Sequence, residues 1–175
     1  MKNPKIFYIL PCFNEELNLQ KLLTDFFNFY KSKKFKINIV IINDGSKDNS
    51  LKLINRLKKK LNKKNFQIKI ISHLKNLGLG ESLKNGFEYC ISNGKADDII
   101  ISMDCDNSHT VQLSFKMLKS ILINKKDIVI ASRYKRNSKT KGLDSLRIFL
   151  SYGAAILYKI FFPIKNVKDY TCGFR

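Results

Sequence analysis

The sequence predicts an α/β fold built on a mainly parallel β-sheet, and three observations carry that prediction. Short β-branched runs alternate with longer helical patterns, the runs are apolar throughout instead of at every second residue, and no Pro/Gly/Ser linker or internal repeat divides the 175 residues. Alternation of this kind is the mark of βαβ units. A strand that is apolar on both faces is one that helices cover on both sides.

Taken in order, five runs read as strands: residues 5–10, 37–43, 67–72, 98–103 and 127–132. Four helical patterns fill the gaps between them. Residues 15–30 place Leu19, Leu22, Leu23, Phe26, Phe27 and Tyr30 at spacings of three and four, which is one stripe of a helix. Residues 50–61, 80–92 and 111–124 repeat that pattern behind polar caps. The alternation then breaks into a polar, basic loop over residues 134–142, followed by a helix over 143–162 that is rich in aliphatic and aromatic side chains. Phe149, Tyr152, Tyr158, Phe161 and Phe162 beside Lys159 suit either a helix on a membrane surface or one packed over the sheet. Its apolar core, residues 148–158, falls short of the ~20 residues that cross a bilayer.

Composition narrows the class of protein. The chain has 44% hydrophobic and 27% charged residues, and its length suits one domain over residues 1–175. Lys and Arg number 33 against 14 Asp and Glu, a formal net charge of +19, which favours anionic partners. Nearly all of that excess is Lys in a chain also rich in Asn and Ile, so runs such as Lys58, Lys59, Lys60, Lys63 and Lys64 read as a solvated face. Nucleic acid is not an expected partner. The four cysteines form no C-x-x-C pair, which argues against a disulfide framework and against structural zinc. The N-terminus runs directly into a strand without a secretory signal. A cytoplasmic protein is expected on these grounds, with a place at the cytoplasmic face of the membrane if the last helix lies on lipid.

In open α/β sheets, ligands bind outside the carboxyl ends of the strands, so the residues just after each run are the informative ones. The first strand ends in Pro11-Cys12-Phe13-Asn14-Glu15: Pro11 fixes the backbone, Phe13 offers a flat face to a base or ribose, and Asn14 is suited to cap the next helix. The second ends in Asn43-Asp44-Gly45-Ser46, a carboxylate before a glycine turn that can accept from a base N–H or a ribose hydroxyl. After the third comes Asn76-Leu77-Gly78-Leu79-Gly80, which lacks the third glycine of a dinucleotide fingerprint and reads as backbone approaching a ligand or a neighbouring loop. The fourth ends in Asp104-Cys105-Asp106. Two anions there are costly unless a cation neutralises them, and oxygen ligands suit Mg²⁺ or Mn²⁺ bridging a diphosphate. The fifth ends in Ser132-Arg133-Tyr134, with Arg133 placed to steady phosphate charge.

In this order and spacing, PCFNE, NDGSKDNS, NLGLG followed by Gly86, MDCD, ASRY and the terminal DYTCGFR resemble the family 2 glycosyltransferases of GT-A fold. The resemblance is strongest to the branch that transfers mannose or glucose to polyprenyl or dolichyl phosphate. It implies a Rossmann-like three-layer α/β/α sandwich. It also implies that Pro11, Phe13, Glu15, Ile42 and Asp44 hold the nucleoside, with Asn76, Gly78 and Cys105 lining the donor site. Asp104 would hold ribose or metal, Asp106 the metal and diphosphate, Arg133 the phosphates, and Arg147 would assist there. The branch commonly has Leu-Gln-His after its acid pair, where this chain has Asn107, Ser108 and His109, so the Gln that helps hold metal is replaced by Ser108. Family members also usually continue past the Gly-Phe-Arg segment with which this sequence ends.

The chemistry so implied is displacement with inversion at the anomeric carbon of a nucleotide-diphosphate sugar. A lipid-phosphate acceptor is already ionised near neutral pH and needs no general base. A hydroxyl acceptor would need one, and Asp169 is the residue nominated for it. Two rivals differ in class. A nucleotidyltransferase would want a glycine- and lysine-rich phosphate loop after the first strand, which is not there, and a non-catalytic binding module would hold nucleotide sugar or nucleic acid without turnover.

Overall fold

The computed structural model describes residues 4–132, 145–164, 167 and 169–175, with helix side chains left out at 145–149 and 151–152. The chain divides into two compact units, residues 1–115 and 116–175.

The first unit holds strands β1 (Lys5–Cys12), β2 (Lys36–Asp44), β3 (Phe66–His73) and β4 (Ile99–Ser102), with helices α1 (Glu16–Tyr30), α2 (Ser50–Leu61) and α3 (Leu79–Asn93) between them. All pairings are parallel and the order is β3-β2-β1-β4. The chain therefore winds outward from β1 to β3, then returns to place β4 on the other side of β1. That reversal opens a crevice between the carboxyl ends of β1 and β4.

Period-two alternation along β1 sends side chains to two separate layers. Phe7 and Ile9 pack with Val40, Ile42 and Cys90 of α3, and Gly86 of α3 lies so near the sheet that a Cβ there would meet Ile9 Cγ2 at 2.5 Å. On the opposite face Tyr8 stacks edge-on against Phe26 of α1. The buried Tyr8 hydroxyl reaches Tyr30 Oη at 2.7 Å and Ser114 Oγ at 2.8 Å, so the polar ends of three core side chains satisfy one another. Helices on both faces of a parallel sheet make the expected three layers.

The helix starts are built differently from the expectation. Asn14 does not cap α1; it takes a left-handed conformation, φ 57°, and its Oδ1 accepts the Lys47 N–H at 2.8 Å. The free N–H groups at the start of α1 are met from the β2–α2 turn, Glu15 N–H by Ser50 Oγ at 2.8 Å and Glu16 N–H by Asp48 Oδ2 at 3.1 Å. In return Glu16 Oε2 accepts the Asn49 N–H at 2.7 Å. The polar residues before α1 and α2 thus cap across the two turns, and Asp48 Oδ1 also accepts the Ser50 N–H of its own helix at 2.9 Å.

The second unit corrects the count of strands. α4 (Val111–Asn124) crosses the boundary between the units and α5 (Ser145–Phe161) follows. Residues 127–132 form no strand among the described residues: Ile128 is 72% exposed, and the Ala131 N–H donates to Phe174 O at 3.1 Å. An apolar β-branched run becomes a strand only where a neighbour offers it a ladder. α5 is not a core helix along most of its length, since Leu150, Leu157, Ile160 and Phe161 are each at least 58% exposed. Among the described residues no helix is long and apolar enough to cross a membrane.

Candidate functional site

At the crevice beside β1 lies a cleft of about 260 Å³. Pro11, Phe13, Glu15, Asp44, Asn76, Gly78, Asp104, Cys105 and Asp106, all singled out from strand ends, line it together with Cys12, Leu79 and Ser82. The parallel register explains the convergence. Pro11 and Cys12 pair with Ile42 and Asn43, and Asp44 pairs with His73, so three strands deliver their last residues to one edge. On the far side of β1, Ile9 pairs with Ser102, and the Met103 N–H bonds Ile9 O at 3.1 Å, which brings the acid pair alongside.

Asp44 is the anchor of one end. Its Oδ1 accepts the His73 Nδ1–H at 2.6 Å and the Leu77 N–H at 2.8 Å, while Oδ2 accepts the Gly78 N–H at 2.9 Å. Burial pushes this carboxyl upward, but the His73 ring and the two backbone donors outweigh it and hold the group below the ordinary aspartate value. The bonds explain the glycine-rich segment. Gly78 sits at φ 90°, which turns its N–H onto Asp44, so the backbone approaches a neighbouring loop, one of the two readings given for it. Gly45, at φ 66°, is pressed against that same segment: a Cβ there would stand 2.4 Å from the Lys75 carbonyl carbon.

Asp104 and Asp106 form the other end. Both side chains are exposed to the cleft. Asp104 is nonetheless raised above the ordinary aspartate value, by desolvation first and by the charge of Asp106 second, with His109 partly offsetting both. Asp106 Oδ1 accepts the Ser108 N–H at 2.8 Å, and Asn107, at φ 59°, ties the loop to α1 by donating to Asn18 O and Oδ1 at 3.1 Å. Thus Ser108 orders the acid pair through its backbone. Among the described residues no group of three His, Cys, Asp or Glu side chains is arranged to hold a metal. A carboxylate raised by burial and by a neighbouring carboxylate suits the type of Mg²⁺ or Mn²⁺ site in which the protein supplies one or two oxygens and substrate phosphates and water supply the others. The donor set fits such an ion.

The remaining nominated residues fall elsewhere. Ile42 is fully buried in the core cluster with Phe7, Ile9 and Val40, so its side chain lies beneath the cleft and not on its wall. Arg133 lies outside the described residues, and Arg147 lies in α5 with its side chain outside the description. Asp169, in the second unit, is 1% exposed, and its Oδ1 accepts from the Thr171 N–H at 3.2 Å and hydroxyl at 3.3 Å. That is local turn chemistry of the Asx kind. The sequence reading passed over His73 and Ser82. His73 stands directly after the third predicted run, the very place where functional residues gather; Ser82 gave no signal, because a serine in the first turn of a helix is ordinary.

A parallel sheet of order 3-2-1-4 with an acid-rimmed cleft at its switch point defines a Rossmann-like domain of the kind that handles nucleotides. Within that class the family model Glycosyl transferase family 2 matches residues 8–175, and the chain belongs to that family. It is 29% identical over 171 residues to a dolichol-phosphate mannosyltransferase of Pyrococcus furiosus, covering 97% of this chain and 45% of that protein. It is 30% identical over 177 residues to a dolichyl-phosphate beta-glucosyltransferase of Dictyostelium discoideum, covering 95% of this chain and 52% of that protein. The chain therefore spans about half the length of these relatives. S. aureus TarS, solved in complex with UDP-GlcNAc, shares the fold with a TM-score of 0.57 at 16% identity over 81% of this chain and 37% of that one. The architecture is that of the GT-A glycosyltransferases.

Proposed function

We propose that this chain is the donor-binding catalytic domain of a metal-dependent, inverting glycosyltransferase that moves a hexose from a nucleotide-diphosphate sugar to a polyprenyl-type lipid phosphate. The observation that carries the reading is the cleft that joins the anchored Asp44 at one end to Asp104, raised by burial and by its neighbour Asp106, at the other. One end offers hydrogen bonds to a nucleoside; the other wants a cation and its phosphates.

Asp106, with Asp104, would hold Mg²⁺ or Mn²⁺, which supplies Lewis-acid stabilisation to the departing diphosphate. In the transfer, an acceptor phosphate oxygen forms the new bond to the anomeric carbon as the bond from that carbon to the diphosphate oxygen breaks, and the nucleoside diphosphate leaves with the electron pair. Phe13, 41% exposed on the cleft wall, gives the nucleoside a flat apolar face. Arg133 and Arg147 are assigned to phosphate charge. A phosphate acceptor is favoured over a hydroxyl because the residue nominated as base, Asp169, is buried and engaged with Thr171. The exposed apolar side chains of α5, Leu150, Leu157, Ile160 and Phe161 among them, would suit peripheral contact with the membrane that holds such an acceptor.

The test screens UDP- and GDP-sugars with Mn²⁺ or Mg²⁺ for thermal stabilisation of the protein, then incubates the best donor, radiolabelled, with polyprenyl phosphate. Metal-dependent stabilisation and label in the lipid phase are expected. No donor raising the melting temperature with either ion would remove the reading; stabilisation with transfer only to hydroxyl acceptors would replace its acceptor.

A further inference from the structure

We propose that the Asp44 end of the cleft is a single-donor base site that selects uracil, and that His73 and Ser82 determine this selectivity; the inference rests on the nucleotide-sugar reading above. A carboxylate offers about four lone-pair positions in its plane. At Asp44 three are taken: two on Oδ1 by His73 Nδ1–H and the Leu77 N–H, one on Oδ2 by the Gly78 N–H. The Asn85 amide N–H faces His73 Nε2 at 3.2 Å, which assigns the ring proton to Nδ1 and makes His73 a donor to Asp44. Asn85 is itself held by Glu81 O at 3.0 Å. One acceptor position therefore remains for a ligand, on Oδ2.

The bases of sugar nucleotides differ in what they bring to a carboxylate. Uracil brings one imide N–H between two carbonyl oxygens. Guanine brings two adjacent N–H donors, which need both carboxylate oxygens; with Oδ1 filled, one donor would be buried unpaired. Cytosine and adenine place a bare ring nitrogen beside their amino group, and that lone pair would face a carboxylate oxygen. Ser82 completes the match. Its Oγ is fully buried on the cleft wall and has no hydrogen-bond partner among the described residues. It lies one helical turn from the Asp44 contact, since the Ser82 N–H bonds Gly78 O at 3.1 Å and the Gly78 N–H bonds Asp44. An orphaned buried hydroxyl is costly, and a uracil carbonyl flanking the imide gives it an acceptor.

Calorimetry of the full chain with UDP, GDP, CDP and ADP in Mn²⁺ tests this. UDP is expected to bind at least roughly tenfold more tightly than each of the others, the scale of one unpaired buried donor. His73→Leu should bring the UDP-to-GDP ratio to within about threefold by releasing Oδ1, while His73→Asn, which keeps a donor, should preserve most of it. Ser82→Ala, checked for folding by circular dichroism, should weaken UDP by roughly tenfold. GDP binding as tightly as UDP in the unaltered protein, or an unchanged ratio in folded His73→Leu, overturns the base selection and leaves the nucleotide-sugar reading standing. Failure of every diphosphate to bind overturns both.

Discussion

The two ends of the cleft are made in opposite ways. Around Asp44, most polar groups are already satisfied, with Ser82 Oγ an exception: Asn14, Ser46, Asp48 and Ser50 tie the β1–α1 and β2–α2 turns together, and His73, Leu77 and Gly78 tie the β3–α3 segment to Asp44. Around Asp104 and Asp106, the backbone is fixed by Asn107 and Ser108, but two like charges share the rim. The first end is preorganised and loses little freedom on binding. The second carries an electrostatic cost at Asp104, partly offset by His109, that a cation or a proton would relieve further. A nucleotide-sugar site needs both, one to recognise the invariant part of the donor and one to respond to the charge that develops when it breaks.

The largest effect expected from breaking this contrast is at the acid pair. Asp106→Asn removes a charge and the metal ligand proposed above at once and should lower transfer by about 10²–10³-fold, the scale seen when one preorganised electrostatic group is lost. In metal-free buffer the same change should leave the protein at least as heat-stable, because it ends the repulsion with Asp104. A variant that melts lower without metal and keeps its metal-induced stabilisation would show that the pair is structural.

Next in size is a change at the prebuilt end. Gly45→Ala places a methyl group at φ 66° and 2.4 Å from backbone of the β3–α3 segment. Strain of that kind costs about 2–3 kcal/mol, read as a shift of the urea midpoint with unchanged slope. Because the segment also carries Asn76 and Gly78, donor affinity should fall with it. Gly94→Ala serves as the comparison: it also meets backbone, Cys90 O at 2.7 Å, but at the amino end of the sheet, away from the cleft. It should lower stability without a selective loss of donor affinity, and equal loss in both variants would refute the link between the turn and the site.

How much of this the sequence discloses follows the same division. The four strands that form and the acid pair are legible because they rest on local composition: apolar runs such as Ile6–Leu10 in β1 and an Asp-Cys-Asp step directly after one. Residues 127–132 have the same composition and fail, since pairing is a property of the neighbour and not of the run. Asn14 reads as suited to cap because Asn before a helix usually does so, but its side chain is drawn across to Lys47, 33 residues away in sequence. Ile42 sits two residues before Asp44, near enough in sequence to be grouped with the site, yet the pleat turns it into the core. The shared rule is that strand ends can be read from sequence, whereas the partners of a polar side chain cannot.

The smallest expected effect is the most direct measure of the contrast, because it gives the two aspartates opposite signs. Asp44 has a native value below its unfolded one, so it stabilises the fold at neutral pH, and that contribution is lost as pH falls through the native value, below the ordinary aspartate range. Asp104 has a native value above its unfolded one. Its ionised form therefore costs stability at neutral pH, and the cost disappears as pH falls through the raised native value and then the unfolded one. Urea midpoints in metal-free buffer between pH 7 and about pH 2 should show Asp44→Asn less stable than the unaltered chain at pH 7, with the gap closing only below the ordinary aspartate range. Asp104→Asn should be more stable at pH 7, with that gap also closing toward acid. Since Asp104 is solvent-exposed, its effect should be the smaller of the two. If both variants are destabilised alike at pH 7, the acid pair is an ordinary part of the folded scaffold and the cleft has no end that awaits a cation.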